Sequence, residues 1–250
     1  MRRSRIRTVL QWTTGALVVA GAAYATYVAA AWARYGHATP PDPEAADPLL
    51  DRFMPVYDVA ERHYIQVGAP AETTFTAACE MDLNQSWIAR AIFRMREIVL
   101  GAEPDRAERS RGIVDLTTSI GWGVLAEVPG RELVMGAVTQ PWKANVVFRS
   151  LPADEFAVFN DPGYVKIVWT LRADPVNAVR SVFKTETRAV ATDAEARTNF
   201  RRYWSFLSPG IIVIRRVALG PLKAAAERRA IRTSSAVAPL VQDADRQLRS

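Results

Sequence analysis

From residue 192 to about residue 229 the chain carries one long helical repeat, and a helix of that kind constrains what everything else must be. Ala196, Phe200, Tyr203, Trp204, Leu207, Ile211, Ile214, Val217 and Ala218 recur at three- and four-residue steps, which places them on one helical face. Arg197, Arg201, Arg202, Arg215, Arg216, Arg228 and Arg229 are assigned to the opposite face. Thr192 followed by Glu195 has the form of a capping box, in which hydroxyl and carboxylate satisfy the first free amides. At a rise of ~1.5 Å per residue the run would be about 55 Å long. A kink is therefore expected at Ser208, Pro209 and Gly210, and a second at Gly220 and Pro221, because proline removes an amide donor and crowds the preceding turn. An apolar, aromatic face this broad needs a sheet to bury it.

The chain upstream supplies one. Val59, Glu61, His63, Ile65 and Val67 alternate with Arg62, Tyr64 and Gln66, the period of a strand. Pro70 then opens a short helix over 71–79, and a second amphipathic helix follows with Ile88, Ala91, Ile92, Met95, Ile98 and Val99 on one face, closed by Gly101. The charged stretch 103–111 reads as an exposed loop. Strands at 122–128 and 131–138 flank a turn at Pro129 and Gly130, where proline presets one corner and glycine permits the other. Short strands are expected at 140–142 and 145–149, a helical turn at 153–159, and long strands at 164–172 and 179–190 around Asp174 and Pro175. Hairpin-length connections make the sheet antiparallel, with one face on the helix and one in water. The fold class is α+β.

Ahead of this domain lies a run of another kind. Arg2, Arg3, Arg5 and Arg7 precede residues 11–33, which carry no charge. A hydrocarbon core of ~30 Å takes about 20 helical residues, and Trp12 and Trp32 sit near the ends as interfacial anchors would. A cleaved signal peptide is the alternative, with Ala29, Ala31 and Ala33 as the small-residue site. The basic cluster before the span and the acids Asp42, Glu44, Asp47 and Asp51 behind it orient the N-terminus to the cytoplasm. The expected organisation is a cytoplasmic N-terminus at 1–11, one transmembrane helix at 12–33, a proline-rich tether at 34–56, a folded domain at 57–230 and a flexible C-terminal tail at 231–250. The protein is then single-pass in the cytoplasmic membrane with its folded domain outside.

Composition excludes several function classes. The chain has 250 residues, 49% apolar and 23% charged, which is ordinary for a globular protein. The net charge of +6 comes mostly from arginine, but the arginines are scattered among acids without a basic stripe of stacking aromatics, so no nucleic-acid partner is expected. Cys79 is the single cysteine and His37 and His63 the only histidines. No metal site, no cofactor and no nucleophile-based catalytic set is expected from them. Glu186, between Lys184 and Arg188, reads as a cross-strand ion-pair partner rather than a general base, and Glu127 likewise.

Several motifs in this order resemble the SRPBCC superfamily, the helix-grip group of START lipid-transfer and polyketide cyclase-like proteins. Gly68, Ala69, Pro70, Ala71 and Glu72 ahead of Phe75 resemble its strand-to-helix junction. Leu125, Ala126 and Glu127 through Pro129, Gly130, Arg131, Glu132 and Leu133 resemble its first long hairpin. Pro162, Gly163 and Tyr164 followed by Trp169 resemble its central strand, and Thr185, Glu186, Thr187 and Arg188 its last. Phe200, Arg201, Tyr203, Trp204, Ser208, Pro209, Gly210, Ile214 and Arg215 resemble its closing helix. The resemblance covers about residues 59–227. It implies a curved antiparallel sheet wrapped around a long C-terminal helix, and a habit of binding hydrophobic ligands without a fixed catalytic set.

The residues expected to line a cavity are Trp122, Met135, Trp142, Phe148, Trp169, Phe183, Thr185, Phe200, Tyr203 and Trp204. Taken singly, each large one reads more readily as plain core than as ligand lining; as a set they line whatever cavity exists. Thr185, Lys166 or Tyr203 would orient a polar head group. The function expected is a membrane-anchored module holding a hydrophobic small molecule or lipid. The alternatives are a polyketide cyclase or dehydratase-like enzyme using the same cavity, and a structural or partner-binding domain whose core is filled.

Overall fold

The computed structural model describes residues 2–35, 46–82 and 112–247. The helix expected after residue 82, the charged loop at 103–111 and residues 36–45 of the tether lie outside the described residues. In chain order the elements are α1 (Arg2–Arg34), α2 (Pro48–Asp51), β1 (Val59–Val67), α3 (Ala71–Cys79), α4 (Ile113–Ser119), β2 (Gly123–Val128), β3 (Glu132–Thr139), β4 (Phe148–Arg149), α5 (Ala153–Val158), β5 (Val165–Asn177), β6 (Arg180–Ala191) and α6 (Ala194–Gln247). The strands form one antiparallel sheet in the order β1-β6-β5-β3-β2, and β4 continues β2's side of β3. The fold is α+β, a helix-grip arrangement in which α3 and α6 lie on one face of the sheet.

Local chemistry explains the main boundaries. Val128 O accepts from Arg131 N at 3.0 Å and Gly130 takes φ +69°, so Pro129 and Gly130 occupy the corners of a type II turn that needs glycine at its second position. At the start of α6 the expected capping box is not the cap used. Asp193 Oδ1 accepts from Ala196 N at 2.7 Å, while the Thr192 hydroxyl donates to Tyr164 O at 3.0 Å and ties β6 to β5. α6 stays helical through Pro209 and Pro221 and on to Gln247, so the stretch expected as a tail from residue 231 is helix instead.

Register decides the faces. Val59, Glu61, His63, Ile65 and Val67 of β1 stand beside Ala189, Thr187, Thr185, Phe183 and Ser181 of β6, and Trp169 of β5 stands beside Thr187 and Met135. This face carries two apolar clusters. One joins Phe75, Met135, Trp169, Phe183, Leu222 and Ala226 beneath α3 and the distal half of α6. The other joins Val59, Val165, Ala189, Phe200 and Trp204 with Ala31 of α1 and Tyr35 just after it.

The opposite face was expected in water and is not. Leu50, Phe53, Met54 and Tyr57 pack there with Val134, Val138, Val168 and Phe156 of α5. The end of the expected tether is therefore folded. Arg188, 2% exposed, clamps it by donating to Glu186 at 2.7 Å and to Met54 O at 2.8 Å, by pairing with Asp51, and by lying 4.8 Å from the Tyr57 ring centroid. Glu186 also meets Arg62 at 3.0 Å, so its ion pairs form as read from sequence but in a buried setting. Lys166 is on this face too, donating to Ala157 O at 2.9 Å, and so cannot orient a head group beneath α6.

Candidate functional site

The sheet-facing stripe of α6 is Ala196, Phe200, Trp204, Ser208, Ile211, Arg215, Leu219, Leu222 and Ala226, in steps of three and four. One residue in it is charged. Arg215, assigned above to the outer face, points at the sheet: its Nη2 donates to Thr187 Oγ1. Around it the register gathers Glu61 and His63 from β1 with Thr185 and Thr187 from β6. This polar band separates the two apolar clusters along α6.

The band is incompletely satisfied. His63 Nε2 and Arg215 Nη1 are both buried and have no hydrogen-bond partner among the described residues, although buried polar atoms are nearly always paired. Glu61 is engaged from the side by the Tyr35 hydroxyl, which donates to its Oε1. Burial, with Glu61's charge and hydrogen bond behind it, raises the Tyr35 pKa well above its usual value. Burial first, and then the nearby Arg215 charge, pulls the His63 pKa below 6.5, so His63 is a neutral imidazole at neutral pH. Burial brings Arg215 down to about 10, with Glu61 opposing, and it remains a cation. A buried cation with a free N–H beside a neutral imidazole can receive an anionic or carbonyl oxygen. Among the described residues no group of His, Cys, Asp and Glu is placed to hold a metal ion. Burial raises the Cys79 thiol to about 11, which leaves it un-ionised at neutral pH.

The ten residues proposed from sequence fall on both sides of this band. Met135, Trp169 and Phe183 are buried in the cluster under α3, with Trp122 against it. Trp122 lies 5.2 Å from the Phe148 ring centroid and 6.3 Å from that of Trp169. Phe200 and Trp204 are buried in the other cluster, with Tyr203 and Trp142 packed on it. Thr185 lies in the band itself, paired in register with His63. Sequence reasoning missed Arg215 and singled out His63 only as one of two histidines from which no metal site or nucleophile-based catalytic set is expected. The signal for Arg215 was present: extending the stripe past Ile211 at the same spacing lands on it.

A separate cleft of about 280 Å³ is lined by Val138, Gln140, Lys143, Asn145, Val147, Arg149 and Tyr164. Arg149 rests 5.2 Å and 5.5 Å from the ring centroids of Phe159 and Tyr164. None of the ten residues lines it.

No family model matches this chain, and no curated protein matches it in sequence. Among solved structures, a conserved protein from Geobacillus kaustophilus is similar at 10% identity over 70% of this chain and 97% of its own, with a TM-score of 0.30. Norcoclaurine synthase from Thalictrum flavum, in complex with dopamine and hydroxybenzaldehyde, is similar at 15% identity over 70% of this chain and 87% of its own, with a TM-score of 0.29. An aromatase/cyclase from Streptomyces is similar at 15% identity over 68% of this chain and 94% of its own, with a TM-score of 0.21. Similarity at these values assigns neither ligand nor activity to the chain.

Proposed function

We propose that this protein is a membrane-anchored binding module whose helix-grip domain holds an amphiphile, its polar head on Arg215 and His63 and its apolar part against the Phe200, Tyr203 and Trp204 side of the band. The observation that carries this reading is the pair of buried, unpartnered nitrogens, His63 Nε2 and Arg215 Nη1. An unmet buried donor on a cation is costly, and an anionic head group would meet it. Glu61 is the carboxylate of the band and is already engaged by Tyr35, which favours binding over the cyclase or dehydratase alternative. Trp12–Arg34 is long and apolar enough to cross a bilayer, which supports the anchor. In this reading the N-terminus is cytoplasmic, the domain lies outside the cytoplasmic membrane, and the ligand is a hydrophobic small molecule or lipid.

The test compares dodecanoate with dodecanol by ligand-induced stabilisation of the full chain in mild detergent, and by native mass spectrometry. Dodecanoate should stabilise the protein more than dodecanol, and Arg215→Met should abolish the difference. A ligand present at 100 times its Kd stabilises by about 2.7 kcal/mol, a shift that thermal unfolding resolves. Equal effects of acid and alcohol, or an unchanged preference in Arg215→Met, would refute the head-group assignment. Maleimide accessibility of Ser4→Cys and Tyr64→Cys in a Cys79→Ala background should report opposite sides of the membrane.

A further inference from the structure

The outer face of α6 repeats the stripe pattern with a different content. Arg202, Phe206, Pro209, Val213 and Arg216 follow one another in steps of four and three, so they share a helical face. Phe206 is 55% and Val213 41% exposed, and both arginines are exposed. Between Arg202 and Arg215 the sequence holds no charge. The stripe is an apolar face bracketed by two cations about 21 Å apart at ~1.5 Å per residue.

This stripe lies beside α1. Tyr24 donates to Phe206 O at 2.6 Å, in the turn where Pro209 has removed an amide donor, and the Tyr27 and Ser208 hydroxyls are bonded at 3.0 Å. Arg201 donates to Trp32 O and stands 4.3 Å from a Trp32 ring centroid. Trp204 meets the Tyr35 ring edge-on. Hydrogen bonding between α1 and α6 thus includes Tyr24, well inside the apolar run. Residues 12–23 alone measure about 18 Å, and adding the uncharged residues 8–11 gives about 24 Å. A hydrocarbon core is ~30 Å thick. If α1 crosses the bilayer, the part of it that is bonded to α6 also lies within the apolar layer, and α6 comes with it.

From this we infer that residues 203–214 of α6 dock into the lipid bilayer on the domain's side, at the boundary of head groups and acyl chains. This rests on the reading of α1 as a membrane span. Phe206 and Val213 enter the acyl layer, and Arg202 and Arg216 reach back to lipid phosphates, as long cationic side chains do at such interfaces. The residue that follows the docked stretch is Arg215, so the unpartnered nitrogens of the polar band lie next to the membrane surface, and the amphiphile they receive is drawn from it.

The experiment uses the full chain, Cys79→Ala, in liposomes of phosphatidylcholine and phosphatidylglycerol with and without acyl-brominated lipid. A bimane label is placed singly at Phe206→Cys, Val213→Cys, Val18→Cys and Tyr64→Cys. The labels at 206 and 213 should lose most of their emission to the brominated lipid, as the label at 18 does, while the label on Tyr64→Cys keeps its own. Quenching at 18 with none at 206 and 213 would overturn the docking and leave the anchor standing. No quenching at 18 would overturn the anchor and the docking with it.

Discussion

Glu132→Gln should make the protein more stable at neutral and alkaline pH, and the structure sets the size of the effect. Glu132 opens β3 on the face covered by α2, with its side chain 7% exposed and its Oε1 buried and unpartnered. Arg172 is the nearest cation at 3.9 Å, but it is shared with Asp174 at 2.8 Å and Asp47 at 3.5 Å. Asp47 is held in place as the cap of α2, accepting from Leu49 and Leu50. Burial, then the charge of Asp47, raises the Glu132 pKa from 4.5 to about 7. An acid whose folded pKa is raised keeps its proton in the native state after the unfolded chain has released it. Its stability contribution is therefore whole below about 4.5 and is lost as pH rises to about 7. At 1.36 kcal/mol per unit, the loss is about 3 kcal/mol. Glutamine preserves the neutral shape and does not titrate. Urea unfolding of the full chain in mild detergent, followed by tryptophan fluorescence from pH 4 to 8.5, should give wild type and Glu132→Gln similar stability at the acid end. The two should diverge by about 2–3 kcal/mol in favour of the variant above neutrality. Parallel profiles, or a variant less stable at alkaline pH, would refute the assignment of Glu132 as the buried acid.

Arg188→Ala leaves the buried Glu186 with Arg62 alone and removes the donor to Met54 O, and since breaking a buried pair costs about 3–5 kcal/mol when no partner is left, a loss of about 2–3 kcal/mol is expected; Arg188→Met, which fills the space, should retain more of the stability in the same unfolding experiment. Gly136→Ala should cost about 1–3 kcal/mol through overpacking, because an added Cβ would overlap Leu125 and come within 3.1 Å of Phe156 Cε2; a neutral result would mean that α5 moves freely over the sheet. Trp169→Ala should cost about 3–5 kcal/mol, the loss of a filled core position, since Trp169 is only 6% exposed and packs on Met135 and Trp122; a loss under about 1 kcal/mol would place it on an open cavity instead.

Much of this architecture follows from local rules acting on the sequence. The alternation from Val59 to Val67 becomes β1, Pro129 and Gly130 become the turn between β2 and β3, and the three- and four-residue recurrence from Ala196 becomes the grip of α6. These are short-range consequences of backbone sterics and apolar period, so residues within a few positions of one another suffice to decide them. Other features depended on partners distant in the chain. Thr192 or Asp193 could each cap α6, and the choice went to Asp193 because the Thr192 hydroxyl was needed at Tyr164, across the β5–β6 pair. Leu50, Phe53 and Met54 lie in a proline-rich stretch that looks extended, and they fold because Arg188 and the far face of the sheet give them somewhere to pack. Arg215 is the sharpest case. Its neighbour Arg216 made the pair look like a solvated edge, and one helical step of about 100° separates a side chain in water from one buried on the sheet. Sequence alone determined that a long amphipathic helix would lie on an antiparallel sheet; only the tertiary structure decided that a cation would be buried between them, because burial depends on the rotation of the helix about its axis, and packing against β1 and β6 sets that rotation.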